Sequence, residues 1–423
     1  MDTPVLTQDT ALQTWTDRFR QEAPATPARE AARQALETLA FPTRKWEAWK
    51  YTDIRHLLKQ DFRQQPAQGM DPVPGHIPGL EADRLVFING VFSPSDSDLS
   101  RNAGLATICP LAAAPAACLA QMGDLVGHQD IFAALNTAWA QAGVCVYVPD
   151  NQALAAPIHI LHLSQPGETP LLSQHRNLLI IGAGARVTLL DAAHSTNSHP
   201  SFANHVTELW IGEGAEVDLI KLQDESAQAT RIDTTVVSLA GKSRCSVFTF
   251  TLGGQLVRNN LSFLLTAPQA EGNLYGGYLL RNTQMVDNYT QVQHIAPHCL
   301  SNELYKGIIA DQATSVFTGR IHVHKDAQKT NAYQSNRNIL LSETGTVNTR
   351  PQLEIYADDV KCSHGAATGR LDENALYYLR ARGIPERQAR MMLIHAFAME
   401  VASTLTLDPL VAYIEQRIHD AFS

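Results

Sequence analysis

The hydrophobic pattern of this chain is a repeat. From about residue 144 onward, apolar strands recur in VCVYVPD, NLLIIGAGARVTLLD, TELWIGEGAEVDLIKL, TTVVSLAGKSRCSVFTF and SFLLTAPQAEGNLYGGYLL, with turns of small residues between strands. The turns at Gly182, Gly212, Ala240 and Ala267 follow one another at intervals of 30, 28 and 27 residues. A period of that size, within ~20–50 residues, is expected of stacked supersecondary units. Two architectures fit strand–turn–strand repeats: a sandwich of antiparallel hairpins, or a coil whose successive turns stack in parallel register. The coil is favoured. Leu178 to Ile181 and Leu261 to Leu265 are apolar at almost every position, as strands buried on both faces are, and small corner residues let neighbouring turns approach closely.

The flanks change period. Leu12, Trp15 and Phe19 recur at i, i+3 and i+7, and Ala31 to Leu39 repeats that helical stripe after Pro24 and Pro27. Residues 61–82 read as a Pro-, Gly- and Gln-rich linker, followed by a strand at Leu85 to Ile88, a turn at Asn89-Gly90 and short helices from Leu111 to Trp139. Past Arg370 the pattern turns helical again. Asp372 is placed to cap a helix running to Ala381, Gly383 to end it and Pro385 to open the next. Ala389, Leu393, Ala396, Phe397 and Val401 form one stripe, and a third helix follows Pro409. The expected organisation is a helical segment with linker (1–83), a mixed α/β lead-in (84–143), the β-coil (144–370) and a C-terminal helical segment (371–423). Because a solenoid has two raw ends, the helical segments are expected to cap them.

Composition narrows the function. Charged residues are 18% and the formal net charge is −9, which argues against nucleic acid as a partner. Cys109, Cys118, Cys145, Cys245, Cys299 and Cys362 include no CxxC pair and read as free thiols of a reducing compartment. No signal-peptide pattern and no apolar run of ~20 residues is present, so a cytoplasmic location without membrane contact is expected. Gly182-Ala183-Gly184 is followed by a strand pattern where dinucleotide binding needs a helix, and no Walker loop occurs, so any ATP requirement falls to a partner.

Candidate chemistry concentrates in Arg350 to Arg370. Leu353, Ile355 and Ala357 alternate with Gln352, Glu354 and Tyr356 as in a half-buried strand, and Asp358, Asp359, Lys361, Cys362 and His364 follow before Gly365. His364, expected on a glycine-flanked loop, offers a neutral imidazole that suits iron; Cys362 lies two residues earlier and would share its side in extended backbone. One thiol cannot hold a cluster alone. His322 and His324 form an HxH on a strand, with no third ligand legible, and are better explained as a polar ladder. An enzyme reading would use Glu354, Asp358 and Asp359 as paired acids, but adjacent aspartates on a strand point to opposite faces. The cluster Arg44, Lys45, Trp46, Trp49, Lys50 and Tyr51 is open to stacking on a ring or to docking on its own domain; docking is favoured.

Three blocks carry a resemblance: FPTRKWEAWKYTDI at 41–54, VFTGRIHVHKDAQKTNAYQSNRNILLSE at 316–343, and PQLEIYADDVKCSHGA with TGR-D and YYLRARGI after it. In that order they resemble the SufB/SufD family of iron–sulfur cluster assembly scaffolds. The resemblance implies a right-handed parallel β-helix and a non-catalytic scaffold. It implies a SufB partner through the β-helix, with a homodimer of the isolated chain compatible with it, and a SufC ATPase docked on the C-terminal helices, where Tyr377, Arg380 and Arg382 suit interface anchors. It further implies that His364 faces SufB where a transient Fe–S cluster forms, with no cofactor tightly bound in the isolated chain. Asn336 stands where SufB carries a ligating cysteine, which favours the SufD side of the family.

Overall fold

The computed structural model describes residues 8–20, 25–67, 69 and 73–422, with the side chains of 8–12 and 422 outside the description. The helices are α1 (Gln8–Phe19), α2 (Pro27–Leu36), α3 (Arg55–Leu58), α4 (Ala116–Leu119), α5 (Ile131–Trp139), α6 (Glu373–Ala381), α7 (Glu386–Ala402) and α8 (Asp408–Phe422). The early strands are β1 (Asp83–Ile88), β2 (Val91–Asp98), β3 (Thr107–Pro110), β4 (Val144–Val148), β5 (Ile158–Ser164), β6 (Leu171–Ile181) and β7 (Arg186–Ser195). They continue as β8 (Ser201–Ile211), β9 (Glu216–Asp224), β10 (Ala229–Leu239), β11 (Arg244–Thr251), β12 (Leu256–Leu265) and β13 (Glu271–Leu280). The last are β14 (Met285–His294), β15 (Leu300–Ile309), β16 (Thr314–Val323), β17 (Asn331–Leu340), β18 (Thr346–Ile355) and β19 (Lys361–Gly369).

Even-numbered strands from β4 to β18 stack into one parallel sheet and odd-numbered strands from β5 to β19 into another, so each even–odd pair is one turn of a solenoid of about 8 turns. The coil, and not the hairpin sandwich, is the architecture. Stacking in register explains why the turns must be small: a Cβ on Gly212 would lie 2.5 Å from the Ala183 backbone nitrogen of the turn below. The turns from an even to the following odd strand between β4 and β17 also hold a residue at positive φ, Asn151, Gly184 and Gly214 first and then Lys242, Gln269, His298 and Lys329. The apolar core fills the space between the sheets, from Leu85 and Val146 to Phe317 and Ile321.

The parallel stack starts ahead of residue 144, because β1 pairs in parallel with β5, Asp83 opposite Ile158. Asn89 and Gly90, both at positive φ, turn β1 into antiparallel β2. The helical segments differ from the expected end caps: they lie along the outer faces of the two sheets. Trp15 and Phe19 of α1 pack with Phe132 of α5 on Leu172, Phe202, Ile232 and Leu256 of the even sheet. Val401, Leu410, Ile414 and Ile418 of α7 and α8 pack on Leu190, Ile220, Leu222 and Phe248 of the odd sheet. A sheet buried on both faces needs an apolar layer outside as well as inside, and the amphipathic helices supply it. Leu12 of the sequence stripe is among the side chains not described, and Pro24 lies outside the described residues. Trp49 is buried with the Arg258 guanidinium 4.0 Å from its ring centroid, so that part of the aromatic cluster docks on its own chain, whereas Trp46 is exposed. No helix among the described residues is long and apolar enough to cross a membrane.

Candidate functional site

The segment from Arg350 to Arg370 forms the last turn of the solenoid. β18 pairs only with β16 and β19 only with β17, so both sheets end on an open edge. Every residue of β19 is exposed except half-buried Cys362. His364 therefore lies on a strand, not on the loop that Gly365 suggested. The sequence SHGAATG has little strand character of its own; the in-register ladder from Asn331↔Lys361 to Ile339↔Gly369 supplies the backbone partners that hold it extended. Alternation in the preceding strand survives in part: Leu353 packs on the core and Ala357 is buried, but Ile355 is exposed because no further turn covers it.

Register explains what lies beneath His364. Cys362 sits opposite Ala332 and His364 opposite Gln334, and Gln334 in turn opposite Glu303. Lower in the same column stand Leu274, Val247, Leu219, Leu189 and Ile158, all core residues. The inward column is thus aliphatic for five turns and then becomes Glu303, Gln334 and His364. Gln334 and Glu303 are buried, and Gln334 Nε2 donates to Glu303 Oε2 at 2.6 Å. Burial pushes the Glu303 carboxyl up to about 7, against hydrogen bonds from Thr290 and Gln334. Sequence reasoning missed Glu303 and Gln334; a polar residue entering an otherwise aliphatic rung position was the available signal.

Cys362 packs against the core, and burial pushes its thiol up, which keeps it protonated and weakens it as a ligand. Asn336 is buried inside the coil, donating to the Tyr278 hydroxyl at 3.1 Å and accepting from Asn338 at 2.8 Å. His322 and His324 do share a face, with ring centroids 4.4 Å apart. Glu354 engages His322 Nδ1 at 3.1 Å and Arg320 at 2.6 Å, so it belongs to an ion-pair ladder between β16 and β18. Asp359 pairs with Lys329. Of the acids weighed for an enzymatic site, Glu354 and Asp359 are therefore engaged within the chain.

On α6, Asp372 accepts from the backbone of Asn374 and Ala375, and Gly383 at positive φ ends the helix region. Leu376 points into the protein and Tyr377 is 74% exposed. Arg380 lies 3.4 Å from Glu386, and Arg382 donates to the Tyr378 hydroxyl at 3.1 Å. These exposed aromatic and cationic groups lie on α6 and, for Arg382, just past its C-terminal end, beyond the terminal turn.

Residues 163–397 match the family model described as SUF system FeS cluster assembly, SufBD core domain, and residues 20–160 match the SufBD protein N-terminal region. The chain belongs to the SufBD family. It is 34% identical to an iron–sulfur cluster assembly SufBD family protein of Synechocystis, covering 92% of this chain and 89% of that one. It is 31% identical to the iron–sulfur cluster assembly protein SufD of Escherichia coli across 96% of each chain. The core match spans most of the solenoid and runs into α7.

Proposed function

We propose that this chain is a non-catalytic scaffold subunit for Fe–S cluster assembly, which pairs with a SufB-like subunit through the open edges of β18 and β19 and holds His364 at the junction. The uncovered terminal turn carries this reading. Two unpaired parallel edges are a template for another chain, and folded proteins ordinarily cover or charge such edges. Here the edge strand β19 is small-residued, exposed and bears one imidazole. An imidazole in place of thiolate binds iron more weakly and favours a cluster that is built and then released. The exposed face of α6, with Tyr377, Arg380 and Arg382, is the docking surface for a SufC-like ATPase, which supplies the nucleotide chemistry that this sequence lacks. The site of action is the cytoplasm.

Co-expression with SufB-like and SufC-like proteins from the same organism tests the reading. A hetero-complex by size exclusion with light scattering is the expected result, and His364→Ala should keep that complex while lowering iron and acid-labile sulfide per complex after anaerobic purification. His322→Ala should leave both unchanged. A chain that ignores both partners overturns the scaffold reading, and normal cluster content in the His364 variant removes that residue from the mechanism.

A further inference from the structure

A second cluster of histidines lies inside the solenoid, near its other end. His162 on β5, His175 on β6 and His205 on β8 are each at most 3% exposed. Their ring centroids form a triangle with sides of 4.2, 4.6 and 4.3 Å, spanning the two sheets. One nitrogen from each ring can be chosen so that all three lie within 4.8 Å of one another. Nδ1 of His162, Nδ1 of His175 and both nitrogens of His205 are buried without a hydrogen-bond partner, while Nε2 of His162 faces Asp191. Buried polar atoms are almost always paired, and a set of orphans converging on one point calls for a missing partner.

The buried cations around the triangle are matched by acids. Arg176 pairs with Glu208, Lys221 with Asp233, and Arg231 with Glu225 and Asp233. Asp191 remains, in ion-pair reach of His162 alone among the described residues, with its Oδ1 3.2 Å from His162 Nε2. A carboxylate behind a ligating histidine is the usual outer support of an imidazole–metal site. The framework is fixed: the Asn136 side chain of α5 donates to the backbone carbonyls of His175 and Asn204, pinning β6 and β8 where two of the histidines stand. Phe87 stacks on His162 and closes one side with an apolar wall.

The geometry points to a metal-binding site formed by His162, His175 and His205, taking one late first-row divalent cation such as zinc or ferrous iron, with Asp191 supporting His162. Three imidazoles are a common donor set for such ions. A tetrahedral ion with bonds of ~2.1 Å places its nitrogens roughly 3.4 Å apart, so the rings close slightly on loading. The ion ties the two walls of the coil together across the interior. The site is separate from the terminal turn, since the three histidines lie on β5 to β8 and His364 on β19, and it departs from the expectation that the isolated chain holds no tightly bound group.

The test uses the full chain purified anaerobically from cells grown with added zinc, iron or cobalt, because a buried site loads during folding. About one metal per chain should survive dialysis against a chelator, the cobalt form should show the intense visible bands of four-coordinate Co(II), and the thermal midpoint should fall when metal is withheld from the medium. His175→Gln and His205→Gln should each lose the metal and the cobalt bands, whereas His364→Ala and His322→Ala should keep both. Should a glutamine variant fail to fold, the cobalt spectrum of the wild-type chain still decides. Wild-type chain without stoichiometric metal, or metal retained in both glutamine variants, overturns the site: the triangle is then packed neutral rings or holds water.

Discussion

Gln334 reaches across one turn of the coil to donate to Glu303 at 2.6 Å, directly beneath the rung that carries His364. Glu303 is buried and its carboxyl is raised from the ordinary 4.5 to about 7. Below about 4.5 the folded and unfolded chains both hold this proton. As pH rises from there to about 7, the unfolded chain ionises while the folded chain keeps its proton, so folding loses stability over that window and the loss levels off above it. The scale is on the order of 3 kcal/mol, at about 1.4 kcal/mol per pH unit. Glu303→Gln should therefore be more stable than wild type near pH ~8 and converge with it near pH ~4.5, read as urea midpoints across that range. Parallel curves for the two proteins would show that Glu303 does not titrate in the folded state.

Gly276 and Tyr305 test the in-register stack. They are paired in adjacent rungs, and a Cβ on Gly276 would run into the Tyr305 ring, which is itself buried. Gly276→Ala should cost about 1–3 kcal/mol by overpacking. Replacing Tyr305 by leucine in the same chain should make the glycine substitution cheaper, as seen by a double-mutant comparison of thermal midpoints.

The attachment of the N-terminal segment rests on a buried ion pair. Arg258 and Asp287 are both 2% exposed, Thr52 also donates to Asp287, and Arg258 donates to the Ala48 carbonyl at 2.8 Å. Arg258→Ala leaves a buried carboxylate without its cation and should cost about 3–5 kcal/mol. Limited proteolysis should then cut within residues 41–54 before the coil unfolds, and Asp287→Asn in the same chain should recover part of the loss.

Arg380 addresses the proposed ATPase surface. Its only ion-pair contact among the described residues is Glu386 at 3.4 Å, between two half-exposed side chains, so its loss should move stability by less than about 1 kcal/mol. Arg380→Glu is expected to weaken capture of a SufC-like ATPase in a pull-down while leaving the thermal melt nearly unchanged. Equal losses of both would make the residue structural.

The coil was legible because its corners are: Gly182 and Gly212 recur with the strands around them, and the turn between Asn89 and Gly90 formed where it was expected. Legibility faded where Lys242, Gln269, His298 and Lys329 took positive-φ positions that Gly184 and Gly214 hold earlier, since nothing in those side chains announces the conformation. The strand at His364 was hidden for a related reason: its extended shape comes from β17 beside it, not from local propensity. The three interior histidines did leave a trace. His175 and His205 each precede a corner glycine, Gly182 or Gly212, by seven residues, so the repeat places them one above the other. Only the third, His162, required the opposite wall to be known.

Because every rung of this coil pairs in parallel and in register, position along the axis is a matter of counting. One turn advances about 4.8 Å, so the seven steps from β5 to β19 set His162 and His364 roughly 34 Å apart along the stack. The core does not fix that span; the number of turns does. A lineage that gained or lost one whole repeat would keep each wall's pattern and each corner, yet shift the terminal edge by one strand spacing and rotate whatever docks there with the twist of the sheet. For a protein whose exposed end must meet a partner, the length of the coil is a specificity determinant written as an integer.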